Sequence, residues 1–206
     1  MPAKLRRNTS SRRPLRRALK IFAGVAIIGA IGWFAYASVN IVLPSQGALD
    51  DKADVVVSLA PQQNRLPMAK QLISDDVAET LLISYFDHDP MNHQMTAKDG
   101  VPLSRYCEDE SENGVMCFTP AEDATIGEVH AISDLAQEHA WGKVTVVTDS
   151  FHAFRTRFIF EQCMDAEVDV NVVFSEQDLT ASQWSWHIVY ENAAFLKAAW
   201  QTTARC

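Results

Sequence analysis

The segment 146–155, VVTDSFHAFR, holds the residues best suited to chemistry. A buried strand is predicted to end at Thr148, and a helix to begin within a few residues. His152 and Arg155 are three residues apart, so they would share one face of the first helical turn. The free N–H groups and positive dipole of that helix end would add to the charge of Arg155. The segment therefore predicts a phosphate or carboxylate site beside Ser150, with His152 as acid or base.

A second interpretation of this segment needs no ligand. Asp149 or Ser150 would cap the helix, and Arg155 would pair with a surface carboxylate. His152 would then be a satisfied polar group. A hydrolase triad of Asp149, Ser150 and His152 is not expected, because adjacent residues on one turn rarely stand in line. The chain also has no G-x-S-x-G, P-loop or G-x-G-x-x-G motif.

Other candidates stand near helix starts. Thr125 and Glu128 have the spacing of a capping box, and so do Thr119 and Glu122. Both pairs could simply begin helices. Arg65 lies in the turn after the first predicted strand, where it could reach a ligand over the sheet edge. An ordinary surface position is the alternative for this arginine.

The acidic and histidine residues of the next segment could be metal ligands, namely Asp87, His88, Asp89 and His93. Their irregular spacing favours a solvated loop. We therefore predict no metal site and leave any cofactor undetermined. A loosely held magnesium ion, which needs few protein ligands, stays compatible with this sequence.

Four apolar runs would position these residues. The predicted strands are residues 54–59, 80–84, 143–148 and 170–174. Four helices are predicted. The first is capped at Asn64 and has Pro67 in its first turn, and the second begins near Thr125. The third and fourth cover residues 151–163 and 184–203. Strands that alternate with helices require a mostly parallel sheet covered on both faces, here a Rossmann-like three-layer α/β fold. Ligands bind such folds at the carboxyl ends of strands, which adds Ser84 to the candidates. Residues 85–118 lack periodicity and are expected to form an excursion or lid.

Charge divides the chain into two parts. The first 20 residues carry eight Lys or Arg and no acid. All 26 acidic residues lie from Asp50 onward, with only ten basic ones, which gives that part a formal net charge of −16. Such a body would repel phosphate backbones, so a nucleic-acid partner is excluded.

Residues 21–43 predict a transmembrane helix, because about 20 apolar residues suffice to cross a bilayer. The basic tail, residues 1–20, would stay in the cytoplasm of a bacterial cell with the helix in the plasma membrane. After a connector at 44–51, the domain at 52–206 would be periplasmic or extracellular. A signal peptide cleaved after Ala37 is the alternative, and it exports the same domain.

The four cysteines all lie in the predicted exported part, where an even number suggests disulfides. Three pairings are possible. We expect Cys107 to pair with Cys117 and Cys163 with Cys206, and buried or free thiols are the alternative for the second pair.

Several residues occur in a recognisable order. The string Val-Thr-x-x-aromatic-His-x-x-Arg stands at 147–155, and it is preceded by Arg65, Leu66, Ala69, Ser84, Thr125 and Glu128 and followed by Glu191. This order resembles the YdcF-like family, which includes the envelope proteins SanA and ElyC. The resemblance covers about residues 52–200. The family usually has glycines after its first two strands, whereas this chain has Ser58-Leu-Ala-Pro-Gln62 and Ser84-Tyr85.

The resemblance implies a membrane-anchored α/β domain outside the cell membrane, with a role in envelope integrity or peptidoglycan assembly. Our first hypothesis is a site for an anionic, phosphate-bearing ligand such as a lipid-linked phosphate, which Arg155 and Arg65 would hold. The other predicted ligand-binding residues are Ser84, Thr125, Thr148 and Ser150. His152 and Glu128 would carry any proton transfer. Two other functions stay open: a secreted hydrolase, and a non-catalytic module that docks on membrane partners through Trp184, Trp186, Tyr190 and Trp200. Packing of these aromatic residues on the sheet is the competing expectation.

Overall fold

The computed structural model of the chain describes residues 12–86, 103, 107 and 114–206. The described residues divide into two compact units, with the boundary between Ser38 and Val39. The possible metal ligands between Asp87 and His93, and most of the expected excursion, lie outside the described residues.

The first unit consists of helix α1 (Arg12–Val42), which continues into the start of the second unit. Within its segment Arg17–Val42 an 18-residue window has a mean hydropathy of 1.9, and the segment is long and apolar enough to cross a membrane. Its apolar side chains, such as Ile21, Phe22 and Ile28, are exposed. This exposure suits a helix whose solvent is lipid.

The second unit is a five-stranded, all-parallel sheet with the strand order β3-β2-β1-β4-β5. Its strands are β1 (Val55–Ser58), β2 (Thr80–Ser84), β3 (Val115–Phe118), β4 (Lys143–Asp149) and β5 (Asp169–Ser175). Its helices are α2 (Gln62–Ser74), α3 (Thr125–His139), α4 (Ser150–Cys163) and α5 (Ala181–Arg205). The expected Rossmann-like α/β fold class is confirmed.

Alternate residues of each strand face opposite layers. Val55 and Val57 of β1 face a core shared with α3, α4 and α5, to which Ile132 and Phe160 contribute. Val56 faces a second core, which α2 completes. Strands buried on both faces become continuous apolar runs, and that is why the sequence predicted them.

Strand β3 was missed by the sequence interpretation, which placed residues 115–118 in the excursion. The strand has four half-buried residues and pairs with β2 at the edge of the sheet. A short edge strand has no apolar run long enough to stand out. The prediction for α2 was also wrong in detail, because this helix begins after Pro61, and Pro67 lies beyond its first turn.

Both expected disulfides are confirmed. Cys107 is bonded to Cys117 in β3, and Cys163 at the end of α4 is bonded to Cys206 at the end of α5. Such bonds are typical of proteins that fold in an oxidising compartment.

Candidate functional site

A cavity of about 400 Å³ opens at the carboxyl edge of the sheet. It lies where β1 and β4 are neighbours. From β1 the chain first forms β2 and β3 on one side of β1, and it then returns to form β4 and β5 on the opposite side. The gap between the ends of β1 and β4 is therefore the topological switch point of the sheet. Ala60 and Pro61 after β1, and Asp149 at the end of β4, line the cavity. Its volume is typical of a pocket for a small ligand.

Three helices begin at this cavity. The residues that precede α2, α3 and α4 are Pro61, Ala124 and Asp149; all three line the cavity, and none makes a side-chain capping hydrogen bond. By contrast, α5 starts with a complete capping box between Thr180 and Gln183. An uncapped start leaves backbone N–H donors and the positive helix dipole available to a ligand. Three such starts around one cavity favour an anion.

Thr125, His152 and Glu191 form a line from hydroxyl to imidazole to carboxylate. Thr125 Oγ1 lies 3.3 Å from His152 Nε2. His152 Nδ1 lies 3.4 Å from Glu191 Oε1. The three side chains come from α3, α4 and α5. A carboxylate can only accept, so Nδ1 carries the hydrogen and donates it to Glu191, which leaves Nε2 to accept from Thr125.

Glu191 is held mainly by Arg155. Arg155 Nε donates to Glu191 Oε2 at 2.7 Å, and Nη2 donates to Oε1 at 3.0 Å. Burial alone would raise the pKa of Glu191, but His152 and these bonds from Arg155 lower it to about 2. Glu191 is therefore ionised at neutral pH. The remaining terminal nitrogen of Arg155, Nη1, has no hydrogen bond within the described part of the chain.

His152 is neutral at physiological pH. Burial, together with the positive charge of Arg155, lowers its pKa to about 4 despite the opposing effect of Glu191. Arg65 acts in the same direction at longer range. A neutral imidazole whose Nε2 carries a lone pair instead of a hydrogen is the form that can accept a proton, once another hydroxyl takes the place of Thr125.

A second buried ion pair closes the other side of the cavity. Arg65 Nη2 lies 2.7 Å from Asp149 Oδ2, and both side chains are almost fully buried. Arg65 Nη1 also donates to the carbonyl oxygen of Ala60. Gln177 donates to the other oxygen of Asp149. These bonds tie the turn after β1 to the end of β4, so Arg65 holds the wall of the cavity in place.

Glu128 completes the polar wall from α3. Its Oε1 accepts a hydrogen bond of 2.9 Å from the backbone N–H of Ala60. Burial raises its pKa above the ordinary value, although Ser84 and the Ala60 N–H oppose that effect. The Ser84 hydroxyl interacts with this carboxyl group but makes no full hydrogen bond. Glu128 is therefore a candidate proton donor.

The structure brings together five of the eight residues proposed from the sequence: Arg65, Thr125, Glu128, His152 and Arg155 all line the cavity. The other three are buried but are not part of its lining. Ser84 lies behind Glu128, and the Thr148 hydroxyl lies 3.5 Å from that of Thr156. Ser150 is buried in the first turn of α4.

The interpretations that needed no ligand match the structure only in part. His152 is a satisfied polar group, with Thr125 at one ring nitrogen and Glu191 at the other. The expected caps and the surface partner of Arg155, however, are not found in the described residues. Thr125 is the first residue of α3 and contacts His152, so Thr125 and Glu128 form no capping box. Thr119 and Glu122 do not begin a helix, because α3 starts at Thr125. Asp149 pairs with Arg65 instead of capping α4, and the acid that pairs with Arg155 is buried.

Some residues at the cavity carried no signal in the sequence that marked them for this site. Asp149 was a candidate through its position after a strand, as a cap or as a triad member, but its pairing with Arg65, 84 positions away, was not predicted. Tyr190 and Lys197 reach the cavity from α5, and Asp123 from the turn before α3. Glu191 was noted through the family resemblance alone.

The described residues contain one group of side chains whose atoms are close enough together to hold a metal ion. His130, Cys163 and Cys206 offer ligand atoms within 4.8 Å of one another. Both cysteines form a disulfide, however, and disulfide sulfur is not the thiolate that binds a metal.

Comparison with known proteins finds no match: no protein-family model, no curated protein and no solved structure is detectably similar to this chain. The resemblance to the YdcF-like family therefore stays a prediction.

Proposed function

We propose that this protein is a membrane-anchored cell-envelope protein whose α/β domain binds and processes an anionic, phosphate-bearing ligand. The observation that carries the proposal is the cavity at which α2, α3 and α4 begin uncapped, beside Arg155. Backbone N–H groups at helix starts and an arginine guanidinium are the donors that proteins use for phosphate.

The neighbouring charges favour one phosphate group over a polyanion. Arg155 and Arg65 are each already paired, with Glu191 and Asp149 respectively. The ligand would therefore meet Nη1 of Arg155, the helix starts and Lys197 at the rim of the cavity.

The line from Thr125 to Glu191 supports proton transfer at this phosphate. Water or a substrate hydroxyl that replaces Thr125 at Nε2 would give its proton to His152 while its oxygen bonds to phosphorus. The ester oxygen would leave with the electron pair of the broken bond and take a proton from Glu128. Glu191 would stabilise the imidazolium that forms.

The proposed setting is the outer face of a bacterial plasma membrane, with the basic N-terminal tail in the cytoplasm. The apolar helix near the N-terminus supports the anchor, and the two disulfides support an oxidising compartment. The resemblance to the YdcF-like family supports envelope or peptidoglycan maintenance, with a polyprenyl phosphate as one possible ligand.

A non-catalytic interaction module is the second candidate. Trp186, Tyr190 and Trp200 are exposed, which contradicts the expectation that they pack on the sheet. The cavity at His152 favours ligand binding as the main function, because a purely docking module needs no buried imidazole between a hydroxyl and a carboxylate.

The test is thermal unfolding of the full chain in detergent, with inorganic phosphate, pyrophosphate or a polyprenyl phosphate added. A ligand at 100 times its Kd adds about 2.7 kcal/mol, which raises the Tm of a protein of this size by roughly 5 to 10 °C. We expect this rise in the wild type and its loss in Arg155→Ala. Each variant is compared with its own ligand-free Tm.

Arg157→Ala is the matched control. Arg157 lies two residues away on α4 but donates to the backbone oxygens of Ser45 and Val172, outside the cavity. This variant should keep the ligand-induced rise in Tm. If Arg155→Ala fails to fold, Arg155→Lys keeps the charge and removes the bidentate bond. An equal rise in the Arg155 variants, or no rise with any probe, would contradict the proposal.

A further inference from the structure

Helix α5 exposes a row of large apolar side chains along its outer face. We call it the α5 stripe; its members are Trp186, Val189, Tyr190, Leu196 and Trp200. Their successive spacings of three, one, six and four residues place them within about one third of the helix circumference, on one side of α5. Trp200 is 78% exposed and Leu196 is 63% exposed. A soluble domain rarely leaves such a contiguous apolar surface uncovered unless it binds something.

The charge around the α5 stripe points to what covers it. The 25 residues of α5 include one acid, Glu191, and that acid is buried and paired with Arg155. Lys197 is exposed beside the stripe. The part of the chain from Asp50 onward has a formal net charge of −16, so most of its surface would be repelled by anionic lipid. Tryptophan, tyrosine and lysine without exposed acids are typical of a face that lies at a bilayer interface.

The connector between α1 and the α/β domain is too short to hold the domain far from a membrane that α1 spans. Helix α1 ends at Val42. Ser45 already accepts a hydrogen bond from Arg157, and Gln46 and Ala48 are bonded to the edge strand β5. Two residues therefore separate the end of α1 from Ser45, which is hydrogen-bonded to α4, and they span about 10 Å at most.

We propose that the α5 stripe docks on the lipid bilayer that anchors α1, with its aromatic side chains at the boundary between headgroups and acyl chains. Tyr190 belongs to both the stripe and the cavity wall, and Lys197 lines the cavity as well. Docking would thus bring the mouth of the cavity to headgroup level. This part of the inference rests on the function proposed above. If the cavity binds a phosphate group, its position at headgroup level means that the phosphate belongs to a lipid headgroup or a lipid carrier.

The experiment places spin labels on the full chain in nanodiscs of phosphatidylethanolamine and phosphatidylglycerol. Single cysteines replace Trp200 or Leu196 in the stripe. As controls they replace Ser74 or Glu138, which are exposed near the ends of α2 and α3 that lie away from the cavity. The four native cysteines are held in disulfides, and intact-mass measurement confirms that they stay so. Collision with oxygen, which dissolves in lipid, is compared with collision with a water-soluble nickel chelate.

We expect oxygen to be at least several-fold more effective than the chelate at the two stripe positions, relative to the two controls. Equal behaviour at all four positions would overturn the proposal. Stripe labels shielded from both reagents would also overturn it, because they would show cover by a second copy or another protein. The Tm response to phosphate probes is independent of this result, so the docking surface and the ligand site can fail separately.

Discussion

His152 is the residue in which burial and charge have the clearest chemical effect. Its pKa is lowered to about 4, chiefly by burial and by Arg155. The imidazole thus stays a base over the whole physiological range, and Glu191 fixes which nitrogen holds the hydrogen. An unburied histidine would be partly protonated near neutral pH. In that form Nε2 would carry a hydrogen and could not accept a proton from the attacking hydroxyl.

The low pKa of His152 makes folding stability depend on pH. Between pH 6.5 and about 4 the unfolded chain binds a proton at this residue and the folded chain does not. The contribution of His152 to the free energy of unfolding is therefore complete above pH 6.5 and is lost as the pH falls toward 4. For a pKa shift of this size the loss is about 3 kcal/mol. In His152→Gln, the drop in Tm from pH 7 to pH 4.5 should be smaller than in the wild type.

His139→Gln is the control for this measurement. His139 is an exposed residue that stacks on Trp141, at the opposite end of α3 from the cavity. Its replacement should leave the pH dependence of the wild type unchanged. If His152→Gln and the wild type lose the same Tm over this range, the imidazole is not the buried neutral group described above.

At the residue scale, sequence reasoning found the groups that stand at strand ends and helix starts, because parallel topology brings those positions together. It could not find their partners. Arg65 pairs with Asp149, and Arg155 with Glu191 from the last helix. Nothing local in a sequence marks an ion pair between distant positions. The partners change the chemistry, because they neutralise two cations that the sequence suggested were free to bind an anion.

At the scale of elements, the helix starts decide what the cavity can bind. The spacing Thr-x-x-Glu at Thr125 predicted a capping box, yet both side chains turn to other partners, His152 and Ala60. The same kind of motif at Thr180 does form a cap. The sequence motif is alike in the two helices; what differs is that α3 begins at a buried cavity whose groups compete for the side chains.

Gly127 tests the start of α3. A Cβ at this position would lie 2.3 Å from the backbone oxygen of Glu122, which cannot move without the turn before the helix. We expect Gly127→Ala to lower stability by about 1–3 kcal/mol, as overpacking does. Because Thr125 and Glu128 would shift with the turn, the rise in Tm with phosphate probes should fall as well.

Gly142→Ala serves as the comparison, since its Cβ would meet only a side-chain oxygen of Asp54 at 3.9 Å. Thermal unfolding of both variants, with and without phosphate, separates the two effects. A Gly127→Ala variant as stable as Gly142→Ala would mean that the turn before α3 is not fixed.

At the scale of the whole molecule, the alternation of apolar runs and helices was enough to predict a parallel α/β sheet. The pairing order of the strands was not predicted, because the crossovers permit several orders of similar burial. The edge strand β3 was not predicted, because a strand of four residues is too short to show a clear hydrophobic pattern. The disulfide pairing was expected correctly from the short loop and from the position of Cys206 at the last helix.

The two disulfides give a direct test of where the domain lies in the cell. If residues 52–206 are exported, the cysteines meet an oxidising compartment and stay paired, whereas cytoplasmic reductants would keep them as thiols. Growing cells are quenched with acid, which protonates thiols and stops disulfide exchange, and free thiols are then blocked with N-ethylmaleimide in denaturant at neutral pH. The disulfides are next reduced, and the thiols that this releases are labelled with a heavy maleimide. We expect four labels per wild-type chain and two in the Cys163→Ser, Cys206→Ser double variant.

The same double variant should lose more stability than Cys107→Ser, Cys117→Ser, because a cross-link restricts the unfolded chain more when it closes a longer loop. The separations are 43 and 10 residues, for which the chain-entropy relation gives about 4 and about 3 kcal/mol. No heavy label on the wild type would place the domain in the cytoplasm. The membrane anchor would then need the opposite orientation, and the proposed envelope function would fall with it.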